Sequence, residues 1–334
     1  MKKDMNKWLS ELHSSKKALP ILSFPCVSLL GISVRELIGD SDLQARGMLA
    51  ISKACDAAAA ISFMDLSVEA ECFGASVRFS DEEVPTVVGR LINDEDEANA
   101  LKVPAVGSAR SGIYVDAIKK ASEMITDRPV LAGMIGPFSL AARLFDVSEI
   151  MMDCYDDPDM VHTVLEKVTE FLINYAQAYK DAGADGIMLA EPVSGLLSPM
   201  LESEFSAPYV KQIVDAVKDD SFAFIYHNCG DNTPRMLDSI LSTGSSAYHF
   251  GNAIDMKKMV ESVPEDVIVM GNVDPAGVLR LGTPEKVREA TLTLLNDCAS
   301  HENFVVSSGC DIPPMTPWAN INAFFDAINE FYGK

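Results

Sequence analysis

Eight short apolar runs punctuate the chain, and each is followed by a stretch with helical spacing. They are PILSF (20–24), AISFMDL (60–66), PVLAGMI (129–135), ADGIMLA (184–190), FAFIYHN (222–228), SAYHF (246–250), VIVMGN (267–272) and NFVVSS (303–308). Their apolarity is continuous rather than alternating, the pattern of strands buried on both faces in an all-parallel sheet. Eight strand–helix units predict an α/β chain folded as a (β/α)8 TIM barrel, with an open doubly wound sheet as the alternative. A length of 334 residues suits one such barrel. The expected organisation is an N-terminal helical extension over 1–18 and a single barrel domain over 19–334.

Helix signals fill the intervals. Ser41-Asp42-Leu43-Gln44 reads as a capping box. Thr-Pro pairs at 233–234, 283–284 and 316–317 put a capping hydroxyl before a proline suited to the first turn. Apolar residues recur at helical spacing from Asp159 to Asp181, and Gly183 marks the stop. Two units are padded. After the second run, FGASVRFSDEEVPTVV (73–88) predicts a β-hairpin, and two helices are expected between the third and fourth runs. Insertions of this kind sit on barrel loops and shape the mouth.

Charge and cysteine usage exclude several functions. A net charge of −22 leaves no basic stripe for phosphates, so nucleic acid is not an expected partner. No apolar stretch reaches the length of a membrane span, and the N-terminus lacks a leader's apolar core. The seven cysteines are odd in number and sparse, which predicts reduced thiols in a cytoplasmic protein.

The chemistry concentrates in YHNCG (226–230) and SSGCD (307–311). Residues i and i+2 of a strand share a face, so His227 and Cys229 point the same way at the C-terminal end of the fifth run. Cys310 ends the eighth run. In a barrel these ends form the active-site rim. One imidazole and two thiolates make a zinc-selecting set, with the fourth tetrahedral place open. Zn²⁺ with two thiolates and a neutral imidazole sums to zero charge, which suits thiol alkylation better than water activation. A lone H-x-C is weak, because a buried His and Cys at a strand end are usually plain packing. The second cysteine on a separate strand strengthens the metal assignment. A structural zinc would recruit a fourth Cys or His; the nearest are His249, expected to point into the barrel, and Cys298, expected in a helix core.

With these residues in place, the chain resembles the uroporphyrinogen decarboxylase superfamily, and within it the zinc methyltransferase branch of methylcobamide:coenzyme M methyltransferases. The resemblance runs through VEAECFGASV (68–77), GPFSLAARLF (136–145), GADGIMLAEPVSGLLSP (183–199), HNCGDNTPRML (227–237), MGNVDPAGVLRLGTPEKV (270–287) and SSGCDIPPMTP (307–317). It implies that His227, Cys229 and Cys310 ligate zinc and that a thiol such as coenzyme M takes the fourth place. The thiol would receive a methyl group from a methylcobamide on a separate corrinoid protein. A close variant runs the other way, loading the corrinoid protein from a methylated small molecule. None of the five histidines lies in a D-x-H-x-x-G motif, so the corrinoid is expected on a partner docked at the padded loops. A porphyrinogen decarboxylase is disfavoured, because FPCVSLLGISVREL (24–37) carries only Arg35 where decarboxylating relatives have an arginine-rich loop. A non-catalytic tetrapyrrole-binding module remains as a third class. The family often has an acid after the sixth strand; here Gly251 and Asn252 stand there, with His249 as a substitute. Glu191, ending the fourth run, is the expected orienting acid. Glu71, Asp274 and Asp311 are weaker candidates, with Asp311 placed to support Cys310 and Asp274 equally suited to turn chemistry.

Overall fold

The computed structural model describes residues 3–333. Nine strands occur among them: β1 (Ala60–Ile61), β2 (Ser76–Arg78), β3 (Thr86–Val88), β4 (Val130–Ile135), β5 (Gly186–Ala190), β6 (Ala223–Asn228), β7 (Ala247–Phe250), β8 (Ile268–Val273) and β9 (Phe304–Ser308). Seven form one sheet in the order β1-β4-β5-β6-β7-β8-β9, and every pairing is parallel. Strands adjacent in this sheet follow one another in the chain, joined by helices, so the architecture is a curled α/β half-barrel. β2 and β3 pair antiparallel as the hairpin expected from 73–88.

The first apolar run is not a strand. Pro20 has no amide hydrogen, and the Ile21 amide donates to the Ser308 hydroxyl (3.0 Å) instead of a backbone carbonyl. Two backbone bonds still tie this segment to both ends of the sheet. The Leu19 amide donates to the Val306 carbonyl (3.0 Å), and the Ala58 amide donates to the Ala18 carbonyl (2.8 Å). The second run shortens to two residues for a similar reason: the Gly133 amide is taken by the Ser62 hydroxyl (2.8 Å), which ends the ladder.

Side chains alternate across the sheet and build two apolar layers. Leu131, Met188, Ala190, Ala223, Ile225, Ala247, Met270 and Val305 face the concave side. They meet Met5, Leu9 and Leu12 of the N-terminal helix Met5–Ser15, which closes the floor at the strands' N-terminal end. Phe224, Tyr226, Tyr248 and Phe250 face outward into the larger cluster shared with the surrounding helices.

Three helices, not two, separate β4 from β5: Pro137–Phe145, Val147–Asp156 and Pro158–Asp181. Asp146 breaks the first from the second with φ +91°, its carboxylate accepting from the Ser148 amide (2.8 Å). The last ends as expected, with Gly183 at φ +102°. Other caps differ from the sequence signals. Asp40, not Ser41, caps Ser41–Ala54, while Ser33 and Glu36 form the actual capping box of Val34–Ile38. Of the Thr-Pro pairs, only Thr283 caps its helix. Thr233 donates to the Gly230 carbonyl (2.6 Å), and the Thr316 hydroxyl is buried without a partner.

Candidate metal centre

β6 carries the first two residues of the site. Its alternation turns Ala223, Ile225 and His227 inward, and Cys229 continues the same face one residue past the strand. Cys310 arrives from the turn after β9. The candidate ligand atoms of His227, Cys229 and Cys310 all lie within 4.8 Å of one another. No other cluster of three or more His, Cys, Asp or Glu side chains with this spacing occurs among the described residues. Cys229 and Cys310 are partly exposed as residues, whereas His227 is buried.

Glycine follows Cys229 for a steric reason. A Cβ at Gly230 would run into the Gly195 backbone of the loop after β5, and a Cβ at Gly251 would meet Cys229 at 2.6 Å or closer. The second contact explains the missing acid after β7: at Gly251 no side chain fits beside Cys229.

The electrostatics suit a soft cation. Nε2 of His227 is buried with no hydrogen-bond partner in place, and the ring lies beside the Cys310 thiol, whose pKa its proximity pulls down. Cys229 and Cys310 share a hydrogen bond that lowers the pKa of Cys229 and pushes Cys310 up to about 12. A metal relieves this competition, since both sulfurs can then be ligands as thiolates. An orphaned imidazole nitrogen beside two thiols fits zinc by donor type.

His249 stands behind His227. Parallel register sets Ala190 beside His227 and His227 beside His249 across β5, β6 and β7. The two Nδ1 atoms are 2.8 Å apart, and Nε2 of His249 is 2.7 Å from the Ser307 hydroxyl. Both nitrogens of His249 are thus engaged, so it is not a ligand in this arrangement. Burial, reinforced by the neighbouring His227, holds its pKa well below the usual range and keeps the ring neutral. Cys298 closes the helix Pro284–Cys298 and lines a separate cavity of about 620 Å³ with Asn252, Asn272 and Asp297; that cavity does not include the three site residues.

The candidate acids fall elsewhere. Glu191 is fully buried and accepts from the amides of Phe138 (3.1 Å) and Ser139 (2.6 Å), capping Pro137–Phe145 from the neighbouring strand. Burial raises its pKa to about 7 against the pull of these amides. Its own amide donates to the His227 carbonyl (2.9 Å), and Gly136 leaves the space its carboxylate fills. Asp274 caps the turn Pro275–Arg280 through the amides of Ala276 and Gly277. Asp311 is raised well above the carboxylate range by burial and the adjoining Cys310, and accepts a long bond from the Ser23 hydroxyl (3.4 Å). Glu71 binds Nε of Arg110 (2.6 Å). Sequence reasoning missed the rest of that cluster, in which Arg110 also pairs with Asp65, Tyr114 donates to Asp65 (2.7 Å) and buried Glu69 accepts from the Ile135 amide (3.1 Å). Its one signal was an acid ending the second apolar run. Arg35, the lone arginine of the first loop, is held by Asp81 (2.9 Å) and the Phe79 carbonyl (3.1 Å).

The pattern of the uroporphyrinogen decarboxylase (URO-D) family matches residues 20–331. The chain belongs to this family. Among curated relatives it is 30% identical to the methylcobamide:CoM methyltransferase MtbA of Methanosarcina acetivorans over 271 residues, covering 80% of this chain and 78% of that one. It is also 30% identical to a uroporphyrinogen decarboxylase of Coxiella burnetii over 288 residues, covering 82% and 77%. Among solved structures, a methyltransferase from Methanosarcina mazei superposes with a TM-score of 0.85 at 26% identity, covering 97% of this chain and 98% of that one. A B12-independent methionine synthase from Shewanella shares the fold alone, with a TM-score of 0.60 at 14% identity over 95% and 97%.

Proposed function

We propose that the chain is a zinc-dependent corrinoid methyltransferase, which moves a methyl group from a methylcobamide on a partner corrinoid protein to a small thiol such as coenzyme M. Overall identity is the same to a methyltransferase and to a decarboxylase, so it does not choose between them. The observation that carries the choice is local: His227, Cys229 and Cys310 converge, and His227 Nε2 is left without a partner.

A zinc ion held by these residues would supply Lewis acidity that lets a substrate thiol lose its proton near neutral pH. The transfer then balances simply. The thiol's S–H proton leaves to solvent, a carbon–sulfur bond forms, the cobalt–carbon bond breaks and its electron pair stays on the corrinoid. Little acid–base help is needed, so positioning dominates. The substrate thiol would approach beside Cys229 and Cys310, the two partly exposed residues of the set. Glu191 acts at one remove: its carboxylate anchors the helix after β4 while its amide fixes the His227 carbonyl.

Residues 18–24 are read as the eighth stave of a closed (β/α)8 barrel forming one domain, supported by their bonds to β9 and to Ala58. Among the described residues no helix is long and apolar enough to cross a membrane, and we assign the protein to the cytoplasm. Loading of a corrinoid protein from a methylated donor uses the same site in reverse. Porphyrinogen decarboxylation is not favoured, since Arg35 is already ion-paired at the surface and the site presents sulfur instead of cationic groups.

Protein purified without chelator should contain about one zinc per chain and methylate coenzyme M from methylcobalamin. A zinc-free protein inactive in that assay, yet active on a porphyrinogen, would overturn the assignment.

A further inference from the structure

We infer that His249 and Ser307 are positioning residues that fix the tautomer of His227, through a hydrogen-bond chain that ends on the Leu19 carbonyl. The inference concerns the metal site proposed above and rests on that reading only for its consequence; the proton placement itself does not.

The proton positions follow one from another, beginning at the far end. The Leu19 carbonyl can only accept, and Ser307 Oγ lies 2.7 Å from it, so the single hydroxyl proton of Ser307 points there. Ser307 Oγ must then accept from Nε2 of His249, 2.7 Å away. A neutral His249 with its proton on Nε2 has a lone pair on Nδ1. That lone pair faces Nδ1 of His227 at 2.8 Å, so the proton between them belongs to His227. The His249 carbonyl, 3.3 Å from the same Nδ1, is a second acceptor compatible with that assignment. With its proton on Nδ1, His227 carries a lone pair on Nε2. This is the buried nitrogen that has no partner.

A histidine ligand usually donates its second nitrogen to a carboxylate, carbonyl or water, which orients the ring and sets its basicity. Here the acceptor is a second neutral imidazole, and the chain ends on a backbone amide group. The ring of His227 is oriented without adding a negative charge beside two sulfurs. The register supplies the reason: His227 and His249 are paired neighbours on β6 and β7, and Ser307 lies on the inward face of β9. If Ser307 no longer accepts, His249 can carry its proton on Nδ1, and His227 is then driven to hold its own on Nε2, where it blocks ligation.

The test begins with the unaltered full-length chain, metal-free and labelled with ¹⁵N-histidine. Two-bond proton–nitrogen correlation spectra should report His227 as the Nδ1–H tautomer and His249 as Nε2–H. Finding the His227 proton on Nε2 overturns the inference, whether or not the protein binds zinc. Variants then test the consequence by competition with a chromophoric chelator, with circular dichroism to establish that each is folded. Ser307→Ala and His249→Leu should weaken zinc binding by about ten- to a hundredfold. His249→Asn puts an amide oxygen near the Nδ1 place and should retain affinity within a few-fold. If the leucine variant binds as tightly as the asparagine variant, His249 merely fills space and the inference fails. Zinc binding absent from the unaltered protein would instead remove the metal assignment while leaving the tautomer result standing.

Discussion

Two polar clusters sit at the C-terminal ends of the strands, and they have opposite chemistry. Around Asp65 the charges answer one another: Arg110 binds Asp65, Glu71 and Ser67, and Tyr114 adds a further bond to Asp65. Around His227 one imidazole nitrogen has no partner, and two neighbouring thiols push each other's pKa in opposite directions. Burial is similar, so burial alone does not mark a site. What separates the two is whether the cluster neutralises itself. Arg110 supplies the first with a cation of its own, although Glu69 Oε2 stays without a partner there, whereas the second has no cation until one enters.

The largest expected effect falls on the unsatisfied cluster. Cys310→Ser replaces a soft ligand with a poor one and should weaken zinc binding by at least about a hundredfold, beyond what changes outside the ligand shell produce. Methyl transfer should fall with it, while the melting temperature of the metal-free protein stays within a few degrees. Unfolding of this variant would mean that the centre is structural.

Arg110→Met should give the converse. It strands Asp65, whose side chain is fully buried, and should cost about 3–5 kcal/mol of stability. Urea unfolding measures the loss, and zinc affinity should stay unchanged. A large loss of affinity instead would show that the clusters are coupled.

A further effect involves pH. Burial raises Glu69, Glu191 and Glu202 from 4.5 to about 7. In the folded protein these groups keep protons that the unfolded chain releases near 4.5. Stability of the metal-free protein should therefore fall as pH rises from about 4.5 to about 7 and then level off. Urea midpoints at several pH values measure this, and Glu202→Gln should flatten the slope. Thr283→Ala, which removes a helix cap far from either cluster, should cost only about 1 kcal/mol in the same assay.

Much of this was legible from residue order. Continuous apolar runs located β4 to β9 to within two residues, because strands buried on both faces have no polar side to blur them. H-x-C and the distant Cys310 foretold the convergence, since strand alternation and barrel ends fix where those side chains go. Side chains standing in for backbone were not legible. Ser308 and Ser62 take amides that a strand would have bonded to carbonyls, and this shortened two expected strands. Glu191 caps a helix more than fifty residues before it, a partnership that no local pattern around Glu191 contains. The role of His249 needs the β6–β7 register, which no local pattern contains.

X-ray absorption at the zinc edge tests the central claim most directly. The resting protein should show one nitrogen ligand at about 2.0 Å and two sulfurs at about 2.3 Å, with a light atom in the remaining place. Addition of coenzyme M should replace that light atom with a third sulfur. Four protein ligands in the resting state, or a sulfur count that does not change on addition of the thiol, would contradict the account.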